Sequence, residues 1–482
     1  MKHLKNILKT VLFILIVCVG MCFFGELLRQ KKLYNVPGES VTTWLDEFYD
    51  LEENSIDVIF LGSSQSFCTI NPTRMFHNSG VVSYVLSSSA QDIYATKAYL
   101  EEALKTQTPK VVMLEARVLI RETLTAETWN RVAYDNLNPS VTKYKNLLKS
   151  IREDESLLSY VFPLLRYHDN WGNVTYKSWD YVMGRLEKNE GLMGHYPRYA
   201  ITKVSLDKYY EEVPDYALEE RIINAVKEMK KICDENNIEF FIWKAPTPIW
   251  RYDYTVAIEE LANDLDTQFL DLNQMDLGIQ AKTDFYDATH LNDTGAIKVS
   301  DFFSEWLPEH YSLPDQRNNV AYSYYEEAYR KYMKDKLINT TDIVKYCSAL
   351  QDEKYTVFLC VNDGMSTPEE EYVEALKKLG LEKIKAAAGI KSYIAVIDNS
   401  MVVFEEWSKE ALQLEFENDS VSAQITSMGY EAGDNGSVII HGVEYIVPKQ
   451  RGLGIVVYDK TLGCVVDSVT FDIKMEAKAY RK

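Results

Sequence analysis

Over roughly the first two-thirds of the chain, short apolar runs alternate with stretches in which apolar residues recur at spacings of three and four. VIFLG (58–62), VVMLEA (111–116), FFIWKA (240–245) and QFLDLN (268–273) are brief and nearly continuous in apolar residues, the pattern of strands buried on both faces. Between them, residues 90–105 and 217–236 carry a helical rhythm, the second through Leu218, Ile222, Ile223, Val226, Met229 and Ile232. Strand and helix in alternation predict an α/β domain, a parallel sheet with helices on both faces.

The pattern changes twice. Residues 123–215 interrupt the alternation with a segment dense in aromatics, among them Trp129, Tyr134, Tyr160, Phe162, Tyr167, Trp171, Trp179, Tyr196 and Tyr199. Such rings suit sugar faces, but they suit the packing of an auxiliary helical layer equally well, so none is assigned to a site. After FFSEWLPEHYSLP (302–314), the sequence VAYSYYEEAYRKYMKDKL predicts a connector helix. From 354 onward short strands and turns dominate: YTVFLCVND, SYIAVID, MVVFEEW, GSVIIHGVEYIV, GLGIVVYD and GCVVDSVTFD, with one helix around 368–379. The expected organisation is an anchor over 1–33, an α/β domain over 34–314, a helical connector over 315–352 and a strand-rich α+β domain over 353–482.

The anchor rests on the N-terminus. Lys2, Lys5 and Lys9 precede an uncharged run from Thr10 to Gly25, near the length needed to cross a bilayer when flanking charges snorkel. A cleaved signal peptide fits less well, because its small-residue pair, Cys18 and Gly20, lies inside the apolar run. The three N-terminal lysines favour an inside N-terminus, leaving residue 34 onward outside the cell membrane.

Composition narrows the functions open to the chain. A net charge of -20, from 72 acidic and 52 basic residues, argues against nucleic acid as a partner. The seven cysteines have neither CxxC nor metal-ligand spacing, and no motif calls for a cofactor or metal.

Two short stretches carry the chemistry. In DVIFLGSSQSFCTINP (57–72) an apolar strand runs into glycine and serines; in FYDATHLNDTGA (285–296) Asp287 stands three residues before His290. A serine hydroxyl needs a base oriented by a carboxylate, and in open parallel sheets such groups meet at the C-terminal edge of the strands. Gly-Ser-Ser and Asp-x-x-His are each weak signals alone; at opposite ends of one α/β domain they reinforce each other.

FLGSSQS resembles the first block of the SGNH hydrolase superfamily, and DATHLN resembles its last. The N-terminal anchor, INP, VLSSSAQD (85–92), VVMLEAR and RYHDNW are similar to its membrane-anchored branch, associated with acyl transfer to cell-surface polymers. The resemblance covers about residues 50–310 and implies a flavodoxin-like fold with Ser64 as nucleophile, His290 as base and Asp287 as its orienting acid. Ser63 and Ser66 are rivals that the Gly-x-Ser spacing sets aside. The second block has Ser87, Ser88, Ser89 and Ala90 where the family has glycine, and no GxND pattern follows VVMLE. Oxyanion donors are therefore sought at the backbone of Ser64 and the turn at Ser88, with Gln91 or Gln65 as side-chain help.

Residues 420–472 resemble the interleukin-like EMT inducer domain through Ser427 with Gly429, the turn Gly433–Gly436, RGLGIVVYD and VVDSVTFD, which implies a carbohydrate-binding module. Gly454 stands where that family usually has asparagine. Together the two resemblances imply a membrane-anchored, extracytoplasmic O-acyltransferase, with acetyl as the expected acyl group, acting on a cell-surface or secreted polysaccharide through a Ser-His-Asp acyl-enzyme. A multi-pass membrane acyltransferase is the expected acyl donor. The alternatives are a carbohydrate esterase with the same triad and a non-catalytic glycan-binding protein of the envelope.

Overall fold

The computed structural model describes residues 2–29, 44–120, 124–185, 191–206, 216–365, 369–446, 451–472 and 478–481. The expected junction of anchor and folded chain at 33–34, and the expected insertion bounds at 123 and 215, lie outside them. The chain divides into two compact units, Met1–Tyr325 and Glu326–Lys482.

The first unit begins with helix α1 (Lys2–Leu28), long and apolar enough to be a membrane anchor or a signal sequence. Its sheet consists of β1 (Val58–Gly62), β2 (Ser83–Ser87), β3 (Val111–Glu115), β4 (Glu239–Lys244) and β5 (Gln268–Asp271), in the order β2-β1-β3-β4-β5. Every neighbouring pair is parallel, so each strand returns to the same edge through a crossover. Strand order reverses between β1 and β3, which opens a crevice at their C-terminal ends.

The strands form because their residues can be buried on both sides. Val58, Phe60, Met113, Phe241 and Trp243 share a core with Val299, Phe303 and Leu307 of one long helix (Asp293–His310). Alternation turns Ile59, Leu61, Val112 and Leu114, all buried, to the opposite face, which is covered by helices Ile93–Ala103 and Glu220–Glu235. Strand β2 was not anticipated by the hydropathy pattern: SYVLS has only three apolar residues between serines, yet all five residues are buried.

The second unit is built on β6 (Tyr355–Asp363), β7 (Ser392–Asp398), β8 (Met401–Ser408), β9 (Leu412–Glu417), β10 (Ser422–Gly429), β11 (Asn435–Ile440), β12 (Val443–Glu444), β13 (Gly452–Asp459), β14 (Cys464–Asp472) and β15 (Lys478–Arg481). The central β6 pairs antiparallel with β7 and β13 and, at its end, parallel with β10. The chain divides inside the segment expected as a connector, and its later part is core: Leu337, Ile343, Tyr346 and Cys347 pack with Val357, Leu359, Ile455 and Val457. A Cβ at Gly454, where the resemblance expects an asparagine, would meet Ile446 Cδ1 at 2.6 Å, so a side chain there requires the end of Ile446 to shift. The seven cysteines are free.

Candidate functional site

Strand β1 delivers the serine. Gly62 ends it at φ 148°, where a Cβ would sit 2.8 Å from Glu115 Cβ on the adjacent β3, so both conformation and space demand glycine. The chain then turns at Ser63 into helix α2 (Ser64–Thr69). Of residues 61–70 only Ser64 is not buried. Ser63 and Ser66 are 1% and 0% exposed, which removes them as nucleophiles accessible to a substrate.

The histidine arrives on the loop before helix α3 (Asp293–His310). Asn292 caps that helix, accepting from the Gly295 amide while its own amide donates to the Thr283 carbonyl at 2.8 Å. A side chain at Gly295 would meet the Asp284 carbonyl at 2.5 Å, so the glycine lets the loop lie close over the helix start. Within the loop, Asp287 Oδ1 accepts from the amides of Thr289 (2.7 Å) and His290 (2.9 Å), a side-chain-to-backbone turn that fixes the carboxylate against its own chain.

Three side chains meet. His290 Nε2 lies 2.8 Å from Ser64 Oγ, and His290 Nδ1 lies 2.9 and 3.0 Å from the two Asp287 oxygens. An ionised carboxylate only accepts, so Asp287 selects the tautomer with the proton on Nδ1 and leaves the Nε2 lone pair facing the serine hydroxyl. Partial burial pushes the Asp287 pKa up, but hydrogen bonds from the His290 ring and from the Thr289 amide and hydroxyl outweigh it. The net position is below the usual carboxylate range. The side chains of His290 and Asp287 remain 22% and 42% exposed, so the site is open to solvent.

Beneath it runs a buried polar chain that sequence reasoning missed. Lys244, at the end of β4, donates to Glu115 Oε1 at 2.6 Å, and both side chains are fully buried. Lys244 also donates to Gln65 Oε1, and Gln65 Nε2 donates to the Thr289 carbonyl at 2.7 Å. Burial lowers the Lys244 pKa while Glu115 pulls it back up, with a net fall. Glu115 is satisfied further by the Arg117 amide at 3.0 Å. Gln65 therefore joins the helix carrying Ser64 to the peptide preceding His290, holding together groups 226 residues apart in sequence. The available signal was a charged residue ending each of two otherwise apolar strands, Glu115 in VVMLE and Lys244 in FFIWK.

The expected oxyanion residues fall differently. The Ser64 amide is the first N–H of α2, ahead of every carbonyl that helix could offer it. Gln91 is fully buried and its amide nitrogen donates to Thr96 Oγ1 at 3.1 Å. Ser88 is buried, and no hydrogen bond joins it or Gln91 to Ser64, Asp287 or His290 among the described residues. A cavity of about 520 Å3 lined by Phe241, Glu259, Trp306 and His310 contains none of the three site residues. Proximity of Ser64, His290 and Asp287 weighs more than that cavity in locating the site.

No family model matches the chain, and no curated protein matches it. Among solved structures it is similar to a "putative GDSL-like lipase" from Parabacteroides merdae ATCC 43184, at 10% identity and a TM-score of 0.26, over 53% of this chain and 96% of that one. A likeness at that level bears no weight, and the function is read from the geometry.

Proposed function

We propose that the protein is a serine acyl-transfer enzyme in which Ser64 is the nucleophile, His290 the general base and Asp287 the group that orients it. The observation that carries this reading is the continuous contact from Asp287 through both ring nitrogens of His290 to Ser64 Oγ. Ser64 Oγ attacks an acyl carbonyl as its proton passes to His290 Nε2; the leaving group takes that proton, and an ester to Ser64 remains. An acceptor hydroxyl then attacks the ester, gives its proton to His290 and departs acylated, releasing Ser64 when the proton returns to it. The Ser64 amide supports the oxyanion, with the turn at Ser88 as the second element; a donor of this kind contributes about 3 kcal/mol.

In the finer reading the acyl group is acetyl and the acceptor is a hydroxyl of a cell-surface or secreted polysaccharide. The chain is held at the outer side of the membrane by α1, with a multi-pass membrane acyltransferase as donor, and the second unit binds glycan. One observation favours a second reading, an esterase: the exposure of His290 and Asp287 leaves water free to resolve the ester.

The test is intact-mass analysis of the protein after exposure to p-nitrophenyl acetate, alongside Ser64→Ala. A gain of about 42 Da in the parent and none in the variant is expected. Decay of the adduct accelerated by oligosaccharide, with acetylated sugar appearing, marks the transferase; decay indifferent to sugar marks the esterase. No adduct and no p-nitrophenol release overturns the catalytic reading in favour of a glycan-binding envelope protein.

A further inference from the structure

The aromatic segment that interrupts the α/β pattern meets the apolar N-terminal helix at an informative height. The uncharged run Thr10–Gly25 is sixteen residues, about 24 Å of helix, shorter than the roughly 30 Å of a hydrocarbon core. A spanning helix of this sequence therefore needs all of that run inside the bilayer, with Phe23 and Phe24 in its last turn. Glu26 and Arg29, paired at 3.0 Å, mark where it leaves.

Those last residues are in contact with the folded chain. The Phe24 ring lies 5.9 Å from Trp171 and the Phe23 ring 6.2 Å from Trp179, centroid to centroid. Gly25 packs so closely on helix Leu164–Tyr167 that a Cβ would meet the Leu164 amide at 2.8 Å. Asn170 Nδ2 donates to the Leu28 carbonyl at 3.1 Å, Arg29 donates to the Asp135 carbonyl, and Leu27 and Leu28 are each 2% exposed. By contrast Phe13, Leu15 and Ile16 are exposed along the rest of α1. The helix is thus docked at one end only, and the docked end is the one that must lie at the membrane boundary.

The depth of Phe23 and Phe24 fixes the depth of the rings against them. Trp171 and Trp179 are 55% and 44% exposed, and Leu165, Tyr176 and Met183 of the same segment are exposed too. An exposed face of this composition, continuous with a spanning helix and level with its last turn, has the chemistry of the aromatic belt of a membrane protein.

We propose that residues 164–183 form an interfacial collar, resting in the headgroup–acyl boundary beside α1 and holding the first unit against the lipid surface rather than on a loose tether. The inference concerns the membrane and does not depend on the catalytic reading. The lipid is favoured over a protein occupant because the height of the face is set by α1 itself.

The test uses the full chain in nanodiscs of phosphatidylcholine, comparing plain lipid with lipid brominated near the headgroup end of the acyl chains. Trp171→Phe with Trp179→Phe is the variant, and equal far-UV circular dichroism and an equal urea midpoint establish that it folds. Two of the eight tryptophans are changed, and bromolipid quenching is expected to fall by about twofold in the variant. Equal quenching of parent and variant overturns the collar, as does no quenching at all; a face reserved for a protein stays in water in these discs and gives that result. Intact mass of the purified chain supplies the second arm: loss of α1 by cleavage overturns the proposal, and its retention supports it.

Discussion

A half-buried glutamate and a buried histidine hold the same strip of chain beside β2, and they pull stability in opposite directions with pH. Glu47, on the short helix Trp44–Tyr49, accepts from Tyr84 Oη at 2.8 Å and from the Met193 amide at 3.2 Å. His195, two residues on, has Nδ1 2.9 Å from the Phe67 carbonyl. Burial raises the Glu47 pKa from 4.5 to about 7, against the hydrogen bonds it accepts. Burial lowers the His195 pKa from 6.5 to about 4, against the charge of Asp293 and the Phe67 and Ile70 carbonyls.

Between pH 4.5 and 6.5 the folded state keeps a proton on Glu47 that the unfolded chain has lost, so this residue makes stability fall as pH rises. Over the same window the unfolded chain protonates His195 and the folded state does not, so His195 makes stability rise with pH. Each contributes a slope of about 1.4 kcal/mol per pH unit, or about 3 kcal/mol across the window, and the two nearly cancel in the parent. Glu47→Gln removes one slope and His195→Gln the other. Relative to the parent, Glu47→Gln should gain about 3 kcal/mol of stability between pH 4.5 and 6.5, His195→Gln should lose about as much, and the double variant should run parallel to the parent.

Urea unfolding of the detergent-solubilised chain reads this directly. Trp407 is the one tryptophan after residue 325, so in a Trp407→Phe background tryptophan emission reports on the first unit alone. Comparing each variant with the parent at each pH cancels the titration of every other group. Single variants whose stability tracks the parent at both pH values would refute the opposed burial of these two groups.

Three further outcomes follow from the site and the second unit. Asp287→Asn keeps an oxygen for the Thr289 and His290 amides but turns an N–H toward the His290 ring, which favours the wrong tautomer; p-nitrophenyl acetate turnover should drop by about 10⁴-fold with no change in circular dichroism. Gln65→Ala unties the Thr289 carbonyl from Lys244, and stopped-flow acylation should slow by about 10²-fold through misplacement of His290 while p-nitrophenyl acetate KM changes little. Ser427→Ala removes a hydroxyl that donates to the Val361 carbonyl at 2.6 Å and accepts from the Tyr393 amide at 2.9 Å. Its loss should cost the second unit about 1–3 kcal/mol in urea unfolding followed by Trp407 emission, without changing acylation.

Strands β1, β3 and β4 were legible because burial on both faces demands unbroken apolar runs, and the half-buried β5 was legible through its Phe269–Leu270 pair. Strand β2 was not, because SYVLS has only three apolar residues between serines, although all five of its residues are buried. Strand order was hidden from hydropathy, which carries no record of which strands pair, and only the flavodoxin-like fold implied by the resemblance spoke to it: β1 lies between β2 and β3 through pairings that join separate stretches of chain. In the second unit, LQLEFE and SAQITSMG alternate between buried or half-buried and exposed residues, so β9 and β10 lack the continuous runs that marked β6 and β13. At the candidate site, Ser64, Asp287 and His290 were singled out because each belongs to a short local motif, and the structure brings the three side chains together. Gln65 and Glu115 lie within quoted stretches and Lys244 ends FFIWK, but no local pattern links the three; their arrangement exists only once β1, β3 and β4 lie side by side.

That buried arrangement bears on how the site could choose its acceptor. The polar chain is buried from Glu115 to Gln65 and reaches the half-buried Thr289 carbonyl, joining the turn that carries Ser64 to the loop that carries His290, whereas His290 and Asp287 are partly exposed. Nothing in such an arrangement favours a sugar hydroxyl over water by the chemistry of the triad alone. Water competes at about 55 M, but a hydroxyl held in attacking geometry acts with an effective concentration of roughly 10⁵ M or more. An open site can therefore transfer rather than hydrolyse, provided the polymer is retained long enough for its hydroxyl to reach the ester. Under the proposed acyl transfer to a glycan, the division between transferase and esterase lies in how tightly that glycan is held. A variant that weakens glycan retention and spares the triad should convert transfer into hydrolysis while leaving the rate of Ser64 acylation unchanged.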